Sequence, residues 1–375
     1  MNDPKKRSAL KSKKTGKRAT MTDIAIQAGV SQSTVSLVLN AMTGAKLSEE
    51  TRQRVLRIAN EMGYQLPEGR KPTAANAVAP VAVNNGTMAS KDARRLILYL
   101  VDEISTSPHP VISVDGAKDA AWSQGALVAV LATRSNKDIE SAVLKSMLTN
   151  PMLAGVIYST IFTRQVVPPP ELNALPTVLL NCYETQTGEP HFSSVMPSEV
   201  VGGYTATEHL IKAGHKRIGF INGEPWMDAA KDRFKGYRRA LTSADIAFDA
   251  SLAREGDWQM ATGFSCTLSL MKESRAPTAI FCANDLMAVG CLEALHQLGL
   301  QVPADVSVIG YDDQEIARHT RPPLTTLVLP NYEMGRLATE LLLDEVSGLP
   351  QRKRRMKVDV QLVERETVGP PKKLL

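Results

Sequence analysis

TDIAIQAGVSQSTVSLVLN, residues 22–40, decides how the N-terminal part of this chain is read. Thr22 and Asp23 form a helix-start pair, and Ile24, Ala25 and Ala28 fall on one short apolar stripe. Gly29 supplies a turn. Ser31 then caps a second helix whose Val35, Val38 and Leu39 share an inner face, leaving Gln32, Ser33, Ser36 and Leu37 outside. Further on, Ser48-Glu49-Glu50 opens a third helix with Val55, Ile58, Ala59 and Met62 at helical spacing, and Gly63 ends it. Two short helices joined at a glycine and braced by a third make a helix-turn-helix. In that geometry the second helix enters the major groove, while hydroxyls such as Thr34 and Ser36 suit phosphate oxygens. Spacing alone leaves open a plain three-helix bundle with a solvated polar face.

Charge supports the first reading. Residues 1–70 hold thirteen Lys and Arg against six Asp and Glu, an excess of seven. The whole chain carries +5, so everything after Arg70 is slightly acidic. Such asymmetry points to a polyanionic partner for the first segment only. Residues 1–18 contain eight basic side chains and one acid, too polar to fold alone, and would add salt-sensitive affinity by counterion release. Residues 65–93 are rich in Ala, Val, Asn, Pro and Gly and read as a linker. The chain has no apolar uncharged run of about 18 residues, and no apolar stretch follows its basic start. A cytoplasmic protein without a membrane span is the expectation. Cys182, Cys266, Cys282 and Cys291 lack zinc-type spacing and are expected to be buried free thiols.

From Arg94 the texture becomes short apolar strands alternating with amphipathic helices. Strands are expected at 96–101, 126–132, 154–159, 177–181, 217–223, 278–283 and 305–311. Helices are expected near 111–123, 138–149, 198–213, 230–243, 259–272, 285–298 and 331–347. Buried strands alternating with helices make parallel sheets covered on both faces. Two series of similar size give two doubly wound lobes with a cleft at the carboxyl ends of their strands. The chain would cross between lobes near 196–200, after Asp312 and after the helix at 331–347. LTTLVLP (324–330) would join the first lobe and KVDVQLVER (357–365) the second.

Several polar residues fall where that cleft should be. Arg233 opens a helix after a strand and loop, where its planar fork could reach ligand hydroxyls or a carboxylate; an ion pair with Asp228 or Asp232 is the other possibility. Trp258 lies on a loop before a helix, where an indole face suits a sugar ring or a base, although a lone Trp more often packs in the core. Asn284 follows a strand, with Asp285 expected as N-cap of the next helix. Asp312 follows another, where an ionised carboxylate accepts hydroxyl hydrogen bonds. His215, with Arg217, belongs to a helix-to-strand connection. No P-loop, GxSxG, HExxH or glycine-rich dinucleotide fingerprint is present, so neither an enzyme nor a cofactor or metal is expected.

TMTDIAIQAGVSQSTVSLVLNAMTGAKLSEETRQRVLRIANEMGY (20–64) resembles the DNA-binding headpiece of the lac-repressor family of bacterial regulators. The likeness rests on the AGVS, TVS and LN core followed by ETR and GY. It resumes near residue 96 and runs to about 366 through DRFKGY, EGDW, PTAIFCANDLMAVG and VPADVSVIGYDD. The resemblance implies an all-α helix-turn-helix headpiece joined to a two-lobed, periplasmic-binding-protein-like α/β domain. It implies a repressor whose hold on a pseudo-palindromic duplex operator is modulated by a small effector between the lobes. By carry-over Gln32, Ser33 and Leu37 read bases, while Thr20, Met21, Thr22, Thr34, Ser36 and Asn40 contact or support the backbone. Arg233, Trp258, Asn284 and Asp312 fall where the family holds a sugar or purine, and a Trp with Asn and Asp suits a carbohydrate. The implied division is a basic tail (1–19), headpiece (20–64), linker (65–93), effector and dimerisation domain (94–366) and tail (367–375). Within the domain the lobes would be about 94–197 with 315–348, and 198–314 with 349–366.

The chain departs from that pattern in three places. Leu37 replaces a residue that is often Arg or polar, and could touch a thymine methyl instead. QLPEGRKPTAANAVAPVAVNNG (65–86) lacks the Ala-Arg-Ser-Leu hinge whose leucine wedges into the minor groove, so a tether is expected, with 73–79 a short helix formed only on DNA. After the first strand STSPHP leaves His109 and Pro110 where the family shows an aromatic pair. ETVGPPKKLL (366–375) has no leucine heptad, so a homodimer is expected. A sugar-binding transport receptor shares the two-lobed design but would need an export signal and no headpiece.

Overall fold

The computed structural model describes residues 24, 27, 28, 30, 35, 38, 39, 49–62, 95–185, 189–349 and 352–372. Two compact units divide between residues 88 and 89. In the first, helix α1 (Glu49–Glu61) carries two glutamates in its first turn, favourable against the positive helix end. Its Val55, Ile58 and Ala59 are buried with Ile24, Ala28, Val35 and Val38, flanked by Val30, Leu39 and Met62. Apart from Val30 these belong to the apolar set that 3.6-residue periodicity picks out; Ala25 of that set lies outside the described residues. The base- and backbone-reading candidates (Thr20, Met21, Thr22, Gln32, Ser33, Thr34, Ser36, Leu37 and Asn40) and the 65–93 linker lie outside the described residues.

The second unit contains two parallel sheets. Strands β1 (Arg95–Val101), β2 (Ala126–Ala132), β3 (Leu153–Val166), β4 (Thr177–Glu184), β5 (Ser193–Pro197) and β11 (Arg355–Val358) form the first, in the order β11-β5-β4-β3-β1-β2. Strands β6 (Ile218–Asn222), β7 (Ala253–Glu255), β8 (Ala279–Cys282) and β9 (Ser307–Ile309) form the second, ordered β7-β6-β8-β9. All pairings within both sheets are parallel. Strand order therefore reverses beside β1 in one lobe and beside β6 in the other, and such switch points open crevices at the carboxyl ends of strands.

Helices α2 (His109–Ser123), α3 (Lys137–Leu148) and α8 (Asn331–Val346) cover the first sheet; α4 (Glu199–Lys212), α5 (Asp228–Ser243), α6 (Met260–Leu270) and α7 (Asp285–Gln297) cover the second. Three helix pairs meet through glycine. A Cβ on Gly335 of α8 would fall 1.8 Å from the Ser113 carbonyl oxygen of α2, and one on Gly116 would fall 1.9 Å from Tyr332 O. Gly203 and Gly236 join α4 to α5 in the same way, and Gly263 and Gly290 join α6 to α7. Packing this close leaves no room for a methyl group.

The late strands depart in part from their expected places. β10 (Thr326–Val328) adds to the second lobe through parallel bridges Ile309↔Thr325 and Asp312↔Val328, with Leu324 and Leu327 in that lobe's core. The 357–365 segment breaks in two: β11 extends the first sheet beside β5, and β12 (Gln361–Val363) pairs antiparallel with β10. An apolar alternation shows that a segment is a strand but not which sheet edge it meets, which is a long-range choice. β5 (SSVMP) and β7 (ARE) are further strands whose residues make no apolar run for the pattern to announce. The chain crosses between lobes at Ser198, between Val328 and Asn331, and between Val358 and Gln361. The four cysteines are free and buried.

Candidate functional site

Strand ends bring the site together. Arg233 lies in the second turn of α5, only 3% exposed. Its Nε and Nη2 donate to Glu199 Oε2 and Oε1, each at 2.8 Å, and Nη1 donates to the Ala283 carbonyl. Nη1 also stands 3.5 Å from Asp312 Oδ1. The guanidinium lies 3.7 Å from the Tyr311 ring centroid and 5.6 Å from that of Trp258, and the Tyr311 hydroxyl donates to Glu199 Oε2 at 2.6 Å. Burial works against the guanidinium's charge, but Glu199 and then Asp312 outweigh it and raise Arg233 above its usual value. Arg233 is thus spent on Glu199. It pairs with neither Asp228, which accepts from Tyr183 and Lys231, nor Asp232, which faces Lys357.

Asp312 follows β9 with φ +109°, a strained setting for an L-residue. Its Oδ2 lies 3.5 Å from His109 Nε2 and accepts from Gln314 Nε2 at 3.2 Å. Its Oδ1 is buried with no hydrogen-bond partner among the described residues. Burial alone would raise this carboxyl; His109, Arg233 and Gln314 together hold it below the usual carboxylate range. His109 opens α2 in the first lobe, and its Nδ1 takes a 3.0 Å hydrogen bond from the Asn331 amide at the second crossing. The amide nitrogen can only donate, so Nδ1 is the acceptor there, and Nε2 is the ring nitrogen that faces Asp312.

Trp258 is in the left-handed region, φ +68°, with its indole N–H 2.8 Å from Met227 Sδ. Its ring fills the space over Gly223, where a Cβ would fall 1.9 Å from an indole carbon. Asn284 braces it from behind, donating to the Trp258 carbonyl at 3.0 Å and accepting from Met287 N at 2.9 Å. Asn284 is therefore the N-cap of α7, the role the sequence assigns to Asp285. Asp285 is instead fully buried, accepting from the Thr326 hydroxyl and from Gln314 N. Burial and then the nearby Asp312 push its carboxyl well above the usual range.

The first lobe supplies the opposite wall. Asp102 follows β1, accepts from Ile161 N at 2.8 Å and pairs with Arg164 Nη2 at 2.9 Å. Burial raises its carboxyl despite Arg164. Arg164 covers the Phe162 ring at 5.3 Å, and Phe162 meets Trp226 of the second lobe edge-on at 5.5 Å. His109, Arg233, Trp258 and Asp312 therefore converge, with Asn284 joined through the Trp258 backbone. Sequence reasoning misses Glu199, Tyr311, Arg164 and Trp226. An acid in the first turn of α4 already makes sense against the helix dipole, so Glu199 gave no further signal. Tyr311 sits inside the VIGYDD string that marks Asp312, and its adjacency was the available clue. His215 is buried between Thr278, Ser307 and the Gly369 carbonyl, away from these residues in the sequence-expected connection.

Comparison with known proteins adds a second line of support. Residues 20–66 match the lacI family of bacterial regulatory proteins, and residues 207–368 match a periplasmic binding protein-like domain. The ribose operon repressor of Haemophilus influenzae is 31% identical over 358 residues, covering 93% of this chain and 98% of that protein. The transcriptional regulator CelR in complex with cellobiose has a TM-score of 0.60 and 29% identity over 93% of this chain and all of its own. The lac repressor dimer bound to operator and an anti-inducer has a TM-score of 0.60 and 28% identity over 94% of this chain and all of its own.

Proposed function

The chain belongs to the lacI family of bacterial regulatory proteins, and from that premise we propose that it represses transcription as a homodimer whose operator affinity is set by a sugar between its lobes. Relatives in this family are transcriptional repressors, not enzymes. Asp312 carries the effector half of the reading: a buried carboxylate oxygen with no hydrogen-bond partner among the described residues, beside the guanidinium that also neighbours the Trp258 indole, and with its other oxygen 3.5 Å from His109 of the other lobe. An orphaned buried acceptor of this kind is satisfied by a ligand hydroxyl. Trp258 gives the apolar face a sugar ring needs, and Arg233, already engaged by Glu199, holds Asp312 rather than reaching far into the cleft. Asn284 acts through Trp258.

The headpiece half assigns base reading to Gln32, Ser33 and Leu37, and register to Thr20, Met21, Thr22, Thr34, Ser36 and Asn40. A mobility-shift titration of the full chain on its own promoter tests it, with sequence-specific retention expected. Raising salt from about 50 to about 200 mM should weaken binding by tenfold or more. A thermal-shift screen of sugars and purines tests the cleft. A sugar that stabilises the wild type should lose that effect in Asp312→Ala; a hit that survives there refutes the assignment, and a purine-only hit refutes the sugar.

A further inference from the structure

The Arg233 fork is answered before any ligand arrives. Both Glu199 oxygens accept from it, and the Ala283 carbonyl and Asp312 occupy the remaining edge. Two carboxylates thus surround one guanidinium in a space where both members of the Arg233–Glu199 pair have side chains only 4% exposed. The group left wanting a partner is an acceptor, Asp312 Oδ1. Arg164, which covers Phe162 at the contact between the lobes, is likewise committed to Asp102. Among the described residues both arginines are therefore neutralised from within the protein, and His109 faces the other oxygen of Asp312, leaving an acceptor on offer.

We propose that Glu199 sets the charge class of the effector: it takes the place of a ligand carboxylate on Arg233, so the cleft receives an uncharged polyhydroxyl compound and rejects sugar acids and sugar phosphates. This inference rests on the cleft being the effector site. A ligand anion placed at hydroxyl distance from Asp312 would meet a like charge in a poorly hydrated space, where the adjacent guanidinium is already paired with Glu199. Discrimination is built by repulsion as well as attraction, and at such separations it amounts to about a hundredfold in affinity.

Two measurements on the full chain test the proposal. In calorimetric titrations, neutral sugars are compared with their charged partners: glucose with glucuronate, ribose with ribose 5-phosphate. The expected result is that charged partners bind about a hundredfold more weakly to wild type, and that Glu199→Gln narrows the gap for glucuronate. A charged partner binding wild type as tightly as its neutral counterpart overturns the proposal. The second measurement uses sodium formate against sodium chloride at equal ionic strength. Formate should raise the melting temperature of Glu199→Ala saturably, by filling the carboxylate position beside Arg233, and should leave wild type unmoved. Equal saturable stabilisation of wild type overturns the proposal even if no sugar binds, a result that would count separately against the sugar reading. If Glu199→Ala fails to fold, the wild-type formate titration and the Glu199→Gln calorimetry still decide.

Discussion

Arg233 and Glu199 depend on each other because neither can be left charged and alone at that depth. Removing one partner of a buried pair costs about 3–5 kcal/mol, whereas replacing both with apolar groups is often neutral. Arg233→Met should lower unfolding stability by that amount in urea titrations, and the Arg233→Met/Glu199→Leu double variant should recover most of it. No recovery would mean that Arg233 contributes through Ala283 and Tyr311 instead. His215 makes a pH prediction. Burial depresses its pKa, only partly opposed by the Gly369 carbonyl, so the fold holds the neutral ring. The unfolded chain then binds the extra proton, and the stability contributed is complete above the ordinary value of 6.5 and lost as pH falls below it. The wild-type melting temperature should drop between about pH 7 and about pH 5, more steeply than that of His215→Gln. Parallel slopes would remove His215 from the account.

The helix pairs have their own sensitivity. Because Gly335 and Gly116 let α8 and α2 touch backbone to backbone, a methyl group at Gly335 must push the helices apart. Overpacking of this type costs typically about 1–3 kcal/mol, and Gly335→Ala should lower the melting temperature correspondingly. Gly348, with φ +72° and open space around its Cα, carries a backbone requirement but no packing one. Alanine there should cost about 1 kcal/mol, the penalty of the left-handed conformation. Equal losses at the two positions would show that α2 and α8 can shift freely. α8 also begins at Asn331, whose amide fixes His109, so its placement bears on the cleft as well as on the core.

At the scale of the whole molecule the three crossings matter most. Ser198, the 329–330 step and the 359–360 step lie together between the lobes, and Glu199, Asp312 and Asn331 sit within a few residues or at the ends of elements bordering them. The proposed effector contacts and the crossing segments are therefore adjacent, and a ligand bound there that favours one lobe arrangement would have direct purchase on it. Binding linkage is reciprocal: if saturating effector changes operator affinity by a given factor, saturating operator must change effector affinity by the same factor. Calorimetry with and without operator checks this. Light scattering should show a dimer.

Local patterns were enough for the headpiece core, the alternating strands and helices, the place of Arg233 early in a helix, and the strand-end positions of Trp258, Asn284 and Asp312. Each depends on periodicity or on a residue's place in its own element, and those are short-range properties of the chain. The Arg233–Glu199 pair joins residues 34 positions apart, the His109–Asp312 contact joins the two lobes, and β11 finds an edge beside β5. These were settled by tertiary packing, because burial removes water from charged and edge groups and makes them take whichever partner the assembled fold brings near.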